Sequence, residues 1–400
     1  MTECDYAIIG SGIVGAAVAY RLSQRQPQAK IRIFDKEPHC AAHQTGRNSG
    51  VIHAGVYYTP GSYKARFCRA GLAATVNLCQ QHNIAYEQCG KLIVATSADE
   101  LAAMHALYER CVQNELNPVM LSREQIAQRE PAISAVGGFL VKQTGITDYA
   151  DITRCLLSLA STAKNCRVLY QHQLQALEET SSGVYLSIKT PDGHRRVHAA
   201  KVINCAGIYS DEIIRRQGLE CDFRMLPFKG EYYKLVAKYN HVSRHLIYPV
   251  PDPAMPFLGV HLTRMIGGYT TVGPNAVLTT GREAYGSLLS RDAEWLTVFG
   301  HADVWKLLWR YRKSAVHELR SSLSKVHYAR LVSRYCPGIT AQDFLPYRAG
   351  IRAQAVDRQG NLIHDFKFVE SAHTLHVGNA PSPAATSALP IADEILSRLF

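Results

Sequence analysis

The sequence predicts an α/β protein: a nucleotide-binding domain on a helix-covered parallel sheet, joined to a second domain built on an antiparallel sheet. The prediction rests on a glycine-punctuated strand–helix–strand at the N-terminus, aromatic and β-branched runs after Leu226, and a return to alternating strand and helix texture near the C-terminus. The first feature is the most specific. Asp5-Tyr-Ala-Ile-Ile-Gly-Ser-Gly-Ile-Val-Gly15 is followed by Ile31-Arg-Ile-Phe-Asp35. Residues 6–9 form a short apolar run that reads as a buried parallel strand. Gly10, Gly12 and Gly15 then turn the chain into a helix whose packed face carries Ala16, Ala19 and Leu22. At this spacing Gly10 makes a tight turn, Gly12 lets the backbone approach a pyrophosphate, and Gly15 lets helix and strand pack closely. The first helical turn, with Ile13 and Val14, offers N–H groups to phosphates. Asp35 closes the second strand, where it can accept hydrogen bonds from ribose hydroxyls, and Lys36 follows it. A glycine triplet alone is weak evidence. With strand, helix, second strand and acid in register, it predicts a Rossmann-like dinucleotide-binding domain.

The remaining elements follow from local pattern. A glycine- and histidine-rich loop, residues 43–55, precedes a helix over 64–82. Residues 98–115 are helical in pattern, and Pro118 stops them. Asp148 is a good cap for a helix running through residue 163. Short strands are expected at 167–170, 174–177 and 184–188, with Pro191-Asp-Gly193 as a turn between two of them. Residues 201–207 read as a second apolar strand ending in Gly207, and 209–217 as a helix. Beyond Leu226, strands are expected at 231–236, 246–250, 257–262 and 269–272, an antiparallel floor for a substrate site. A basic helical region spans 303–334, after which βα texture returns at 350–355 and 375–378, with a final helix from residue 388. The expected plan is a nucleotide domain of residues 1–85, 146–220 and 345–400, interrupted by a substrate domain of residues 86–145 and 221–344.

Composition agrees with an enzyme of that size. The 400 residues suggest two domains with ample material for a core. The 11 cysteines include no C-x-x-C pair and no His/Cys cluster at metal-ligand spacing, so no metal is expected and the thiols read as reduced. The apolar stretch 6–20 is preceded by Glu3 and Asp5 and has no basic flank, which argues against a signal peptide. The expected location is cytoplasmic, with peripheral attachment at the cytoplasmic face of the inner membrane as the alternative.

Much of the net charge of +11 sits in residues 305–334, where Lys306, Arg310, Arg312, Lys313, Arg320, Lys325, Arg330 and Arg334 accompany the acid Glu318. With Trp305 and Trp309, an amphipathic helix here can lie at an anionic membrane surface. The competing reading is a solvated helix whose apolar face packs on its own domain. No nucleic-acid-binding module is visible, so no nucleic-acid partner is expected.

Several motifs carry a family resemblance. Val202-Ile-Asn-Cys-Ala-Gly207 with Ser210-Asp211, and Tyr347-Arg-Ala-Gly-Ile-Arg352, resemble the FAD-dependent D-amino-acid oxidase superfamily. His43-Gln-Thr-Gly, Asn48-Ser-Gly-Val-Ile-His-Ala-Gly-Val-Tyr-Tyr58, Lys229-Gly-Glu-Tyr-Tyr233 and Tyr248-Pro-Val-Pro-Asp-Pro253 are more specific, as are Phe257-Leu-Gly-Val-His-Leu-Thr-Arg264, Thr271-Val-Gly-Pro-Asn-Ala276 and Asn379-Ala-Pro-Ser-Pro-Ala-Ala-Thr-Ser387. Together these resemble the L-2-hydroxyglutarate dehydrogenase/oxidase family. One departure is Arg47, where the family pattern has histidine. The resemblance implies a D-amino-acid oxidase-like fold with an FAD-binding domain. It also implies oxidation of L-2-hydroxyglutarate to 2-oxoglutarate, with electrons passed to membrane quinone or to oxygen. An amino-acid or glycerol-3-phosphate oxidoreductase of the same superfamily is the competing enzyme, and a non-catalytic flavin-bearing membrane protein the competing class.

Site residues follow from the motifs and from that resemblance. Hydride transfer from C2 needs a base for the hydroxyl proton, a role that suits histidine. His53 ends the loop that in this superfamily runs beside the flavin ring, and His261 is the second candidate. Arg352 matches the superfamily arginine for the α-carboxylate, where a guanidinium fork fits two oxygens. Arg264, Lys229 and Tyr232 are candidates for the distal carboxylate. For FAD the expected contacts are Gly10, Gly12, Ile13, Val14, Gly15, Asp35 and Lys36, with Thr45, Asn48, Ser49 and Gly50 from the loop. Leu174 is expected at the adenine and Ala206 and Gly207 at the pyrophosphate. Gly378, Pro381, Ser382, Ala384, Ala385 and Thr386 are expected beside the ring carbonyls.

Overall fold

A computed structural model describes residues 2–252, 259–286, 288 and 294–400. In its nucleotide half, strand Thr2–Ile9 lies between Ile31–Phe34 and Gly193–Asn204, all three parallel. Ile31–Phe34 pairs in turn with Cys166–Leu169. Gly193–Asn204 is longer than the strand expected at 201–207. Its first part forms a hairpin with Gly183–Thr190, and its last residues pair with Thr374–Asn379. The polar run Gly193-His-Arg-Arg196 lies exposed and hides that first part from a hydrophobicity reading. Residues 205–207 lie beyond the strand, in the loop that reaches the cavity.

Helices Ile13–Arg25, Tyr149–Ser161 and Ala388–Leu399 pack in one core, burying Ala16, Ala19, Leu22, Ile152, Leu156, Ile391 and Ile395. Asp148 caps its helix by accepting the Ala150 N–H at 2.8 Å.

The other half is built on a sheet ordered Phe344–Pro346, Tyr233–Leu235, Thr270–Gly273, His261–Arg264, Leu246–Pro249, Lys91–Ala95, Gly137–Val141 and Val119–Ser122. Its pairs are antiparallel except Leu246–Pro249 with Lys91–Ala95, which run parallel. The strand expected at 231–236 contracts to Tyr233–Leu235. Of the one expected at 257–262, residues 257–258 lie outside the described residues, and the observed strand is His261–Arg264. A third sheet escaped the sequence reading. Phe223–Gly230 pairs antiparallel along its length with Gly350–Asp357 and at one end with Val277–Leu278. Pro227 lies within it, and a proline argues against a strand because it has no N–H to donate. Here the Pro227 carbonyl accepts the Thr279 N–H at 3.0 Å.

The basic region is not one helix but three: Ala302–Arg310, Arg312–Leu323 and Lys325–Ser333. Ser324 is extended (φ −129°, ψ 101°), and its side chain accepts the His327 N–H at 3.2 Å, which opens the third helix. In the first, Val304 and Leu307 are buried while Trp305 and Trp309 are 59% and 73% exposed. Among the described residues no helix is long and apolar enough to cross a membrane.

Candidate functional site

A cavity of about 880 Å³ lies where the nucleotide sheet meets the other half. The three fingerprint glycines shape its wall for different reasons. Gly10 has φ +101°, and a Cβ there would stand 2.7 Å from the Cys205 carbonyl oxygen. A Cβ on Gly15 would stand 2.0 Å from the Gly10 carbonyl oxygen, so this position fixes how closely helix and strand pack. Gly12 precedes the helix, facing the Thr45 hydroxyl, which accepts the Ile13 N–H at 3.0 Å. Gly12, Ile13 and Val14 therefore bring a helix N-terminus to the cavity wall, the arrangement that attracts phosphate. Asp35 lines the same wall and accepts the Ser11 N–H at 2.6 Å. Thr45, Asn48, Ser49, Leu174, Ala206, Gly207, Pro381, Ser382, Ala384 and Ala385 also line the cavity.

Four expected contacts stand behind the wall instead, Gly15 and three others. Gly50 adopts φ +68°, and its carbonyl accepts the Thr147 N–H at 2.8 Å, so it shapes the loop. Gly378 lies inside its strand against the Phe223 ring, and its carbonyl accepts the Ser210 hydroxyl at 2.9 Å. The buried Thr386 hydroxyl accepts the His53 N–H at 3.1 Å and bonds the Tyr149 hydroxyl at 2.8 Å. It orients His53 rather than lining the cavity.

A segment the sequence reading did not single out also borders the cavity. Arg282 pairs with buried Asp211 at 2.8 Å, and Glu283 meets Lys36 at 2.7 Å. The Tyr285 hydroxyl bonds His43 Nδ1 at 2.7 Å, and the Arg47 guanidinium lies 4.1 Å from the Tyr285 ring centre. Arg47 is thus held on the loop, where it also donates to the Ala42 and Ala349 carbonyls. Glu37, His43 and Glu283 have metal-ligand chemistry, but the Lys36 ammonium already supplies the cation in that cluster.

His53, Tyr232 and Arg352 face the same cavity. His261 does not line it. It is buried, with its ring stacked on Tyr248 at 3.8 Å between centres, its Nδ1 near the Gly259 carbonyl and its Nε2 without a partner. Two distal-carboxylate candidates are already committed. Arg264 pairs with Glu87 at 2.9 Å, and Lys229 with Glu231 at 3.2 Å. Both have carboxylates of the chain itself as partners, and neither lines the cavity.

The electrostatics here are cationic. Burial, then Lys91, His261 and Arg352, hold His53 well below the usual histidine range. His261 is depressed to about 3, mainly by burial and further by Lys91 and Arg352. Both imidazoles are therefore neutral near pH 7 and able to accept a proton. An arriving anionic substrate offsets the two cations and raises the basicity of His53 as it binds. Burial also lowers Arg352, which stays charged, and brings Lys91 down to about 8. The Lys91 ammonium lies 4.0 Å from the Tyr248 ring centre and 5.3 Å from that of Tyr57. A buried ion forfeits several kcal/mol of hydration, and a cation–π contact restores about 2 kcal/mol at most sites of this kind. Glu318, the acid of the basic region, is a further group to which the sequence reading gave no role. Burial pushes it up to about 7, while the Ala276 N–H, 2.8 Å away, and Arg352 pull the other way.

These features fit a flavin dinucleotide: a helix N-terminus at a glycine turn for phosphates, Asp35 for a ribose, and His53 with Arg352 in the same cavity. A model of the FAD dependent oxidoreductase family matches residues 5–398. L-2-hydroxyglutarate dehydrogenase from Salmonella houtenae is 47% identical over 395 residues, 99% of this chain and 93% of that protein. The protein of the same name from Escherichia coli (strain K12) is 45% identical, with the same coverage of each. Dithionite-reduced L-alpha-glycerophosphate oxidase from Mycoplasma pneumoniae, with FAD bound, superposes with a TM-score of 0.81 at 22% identity. It covers 100% of this chain and 95% of its own, and it shows the fold. The cofactor of this chain is FAD. The chain belongs to the FAD-dependent oxidoreductases of the D-amino-acid oxidase type and, within them, to the L-2-hydroxyglutarate dehydrogenase family.

Proposed function

We propose that this protein oxidises L-2-hydroxyglutarate to 2-oxoglutarate. The observation that carries this reading is the pairing, in one cavity, of neutral His53 with half-buried Arg352. Arg352 grips the α-carboxylate and turns C2 toward the flavin, while His53 takes the hydroxyl proton as the C2 hydride leaves. Bound FAD supplies the hydride acceptor. Thr386 and Tyr149 hold His53 in place through the backbone, and Tyr232 closes the pocket beside Arg352.

Anaerobic mixing of the yellow protein with a panel of hydroxy acids, amino acids and glycerol 3-phosphate tests the reading. L-2-Hydroxyglutarate should bleach the flavin band fastest. Faster bleaching by an amino acid or by the phosphate ester would replace it.

For the electron acceptor, the exposed Trp305 and Trp309 beside Lys306, Arg310, Arg312 and Lys313 support docking on an anionic bilayer and transfer to quinone. Each basic residue near such a surface contributes about 1 kcal/mol, so binding is salt-sensitive. The protein should sediment with anionic vesicles at low salt and leave them at high salt, and turnover with quinone should exceed turnover with oxygen. Absence of vesicle binding at every salt concentration, or oxygen as the faster acceptor, makes it an oxidase with a solvated helix.

A further inference from the structure

We propose that the Lys91 ammonium anchors the distal carboxylate of the substrate, complementing Arg352 at the α-carboxylate. The inference rests on the dicarboxylate reading given above. Lys91 opens strand Lys91–Ala95 and is held on both sides, opposite Leu246 of one neighbour and Val141 of the other. Alternation along the strand sends its side chain to the face of Ile93 and Ala95, into an apolar core that also holds Val56 and Tyr248. Only 1% of Lys91 is exposed, and no carboxylate among the described residues pairs with its ammonium. A lysine in that position is rare without a counter-ion.

Its neighbours lack partners too. The Tyr57 hydroxyl and His261 Nε2 are both buried without a hydrogen bond. Tyr57 lies under the Lys91 ammonium, and His261 stacks on Tyr248, the other ring that ammonium touches. An ammonium and a phenol are hydrogen-bond donors, the complement of a carboxylate. Lys91 itself stands behind the cavity wall, but the core its side chain enters also contains Val51, which lines the cavity that His53 and Arg352 face, and both cations act electrostatically on His53. The other basic candidates, Arg264 and Lys229, already have carboxylate partners. A substrate without a distal carboxylate leaves Lys91 uncompensated, so the same residue that welcomes a dicarboxylate rejects the monocarboxylate of equal length.

The test compares glutarate with pentanoate, both five-carbon and neither oxidisable, by the shift each causes in the flavin spectrum of the holoenzyme. Wild type should bind glutarate at least about 30-fold more tightly than pentanoate. In Lys91→Met that ratio should fall to within about three-fold through loss of glutarate binding, and Lys91→Arg should restore part of it. If Lys91→Met does not load flavin, Lys91→Gln serves for the same comparison. A preserved ratio, or equal loss of both acids, overturns the assignment. Wild type that prefers glutarate but is not bleached by L-2-hydroxyglutarate would refute the proposed reaction and leave the Lys91 subsite standing.

Discussion

The two ends of the site are made in different ways. The nucleotide end is backbone: glycines with no room for a Cβ, a helix N-terminus, and a loop whose side chains mostly bond the chain itself. The substrate end is side chain: the His53 imidazole, the Arg352 guanidinium and Tyr232, with Lys91 and His261 behind them, carried by strands and loops far apart in sequence. A backbone site is defined by local spacing and tolerates no added atom. A side-chain site is defined by strand register and tolerates graded change.

The largest expected effect tests the first half of that contrast. In Gly15→Ala the new Cβ meets a carbonyl oxygen at 2.0 Å, and no rotamer can relieve a backbone clash. The purified variant should carry no flavin, and a normal flavin-to-protein absorbance ratio would show that the helix can shift to make room. Arg282→Met comes next, because it leaves buried Asp211 with only Arg215 as a cationic partner. Breaking such a pair costs about 3–5 kcal/mol, and urea unfolding of the holoenzyme should read the low end because Arg215 remains. Retention of wild-type stability would mean the segment around residue 282 does not hold the cofactor half together.

At the substrate end the effects should be kinetic, with the flavin still bound. Arg352→Ala should lower kcat/KM by roughly 30- to 1,000-fold, the equivalent of about 2–4 kcal/mol, and Arg352→Lys should recover little of it. Efficiency within a few-fold of wild type would remove Arg352 as the anchor.

The smallest effect concerns pH. Glu318, raised to about 7 by burial, becomes charged as pH climbs through that value and then competes with the substrate carboxylate for Arg352. Substrate affinity should weaken a few-fold between pH 6 and 8. Glu318→Gln should remove the part of the change centred near pH 7 and leave the part near pH 8 that loss of the Lys91 charge contributes, and an unaltered slope near pH 7 in that variant would assign it elsewhere. His53 and His261, held neutral, should add no limb near pH 6.5.

The same contrast explains what could be read in advance. The roles expected of Gly10, Gly12 and Gly15 as turn, approach and packing positions need only neighbours within one strand–helix–strand, and the geometry at Gly10 and Gly15 shows the turn and the close packing. Gly378 misled because a glycine at a strand end fits a close approach to anything, and here it approaches Phe223. Lys91 was invisible for the opposite reason. At the head of Lys91-Leu-Ile-Val-Ala95 it looks like a polar flank to an apolar strand, and only pairing with Leu246 and Val141 puts it indoors. Glu318 similarly looked like the token acid on a basic helix until the break at Ser324 and the packing of its own helix turned it inward. Phe223–Gly230 contains Pro227, which has no N–H to give a neighbouring strand, yet its carbonyl still accepts the Thr279 N–H.

The sheet order has a consequence for how the protein is made. Strand Thr2–Ile9 is synthesised before its partners, yet one of its flanking strands ends at Asn204, and Thr374–Asn379 pairs beside that strand. Ala380 to Ala385 then line the cavity, and the last helix packs in the core of the first. All but one strand of the other large sheet precedes residue 274. A chain growing on the ribosome therefore has the material for its substrate floor well before its cofactor cleft can close. Flavin capture must wait for residues 374–385, and loss of that segment should leave an apoprotein with the substrate floor formed and no yellow colour.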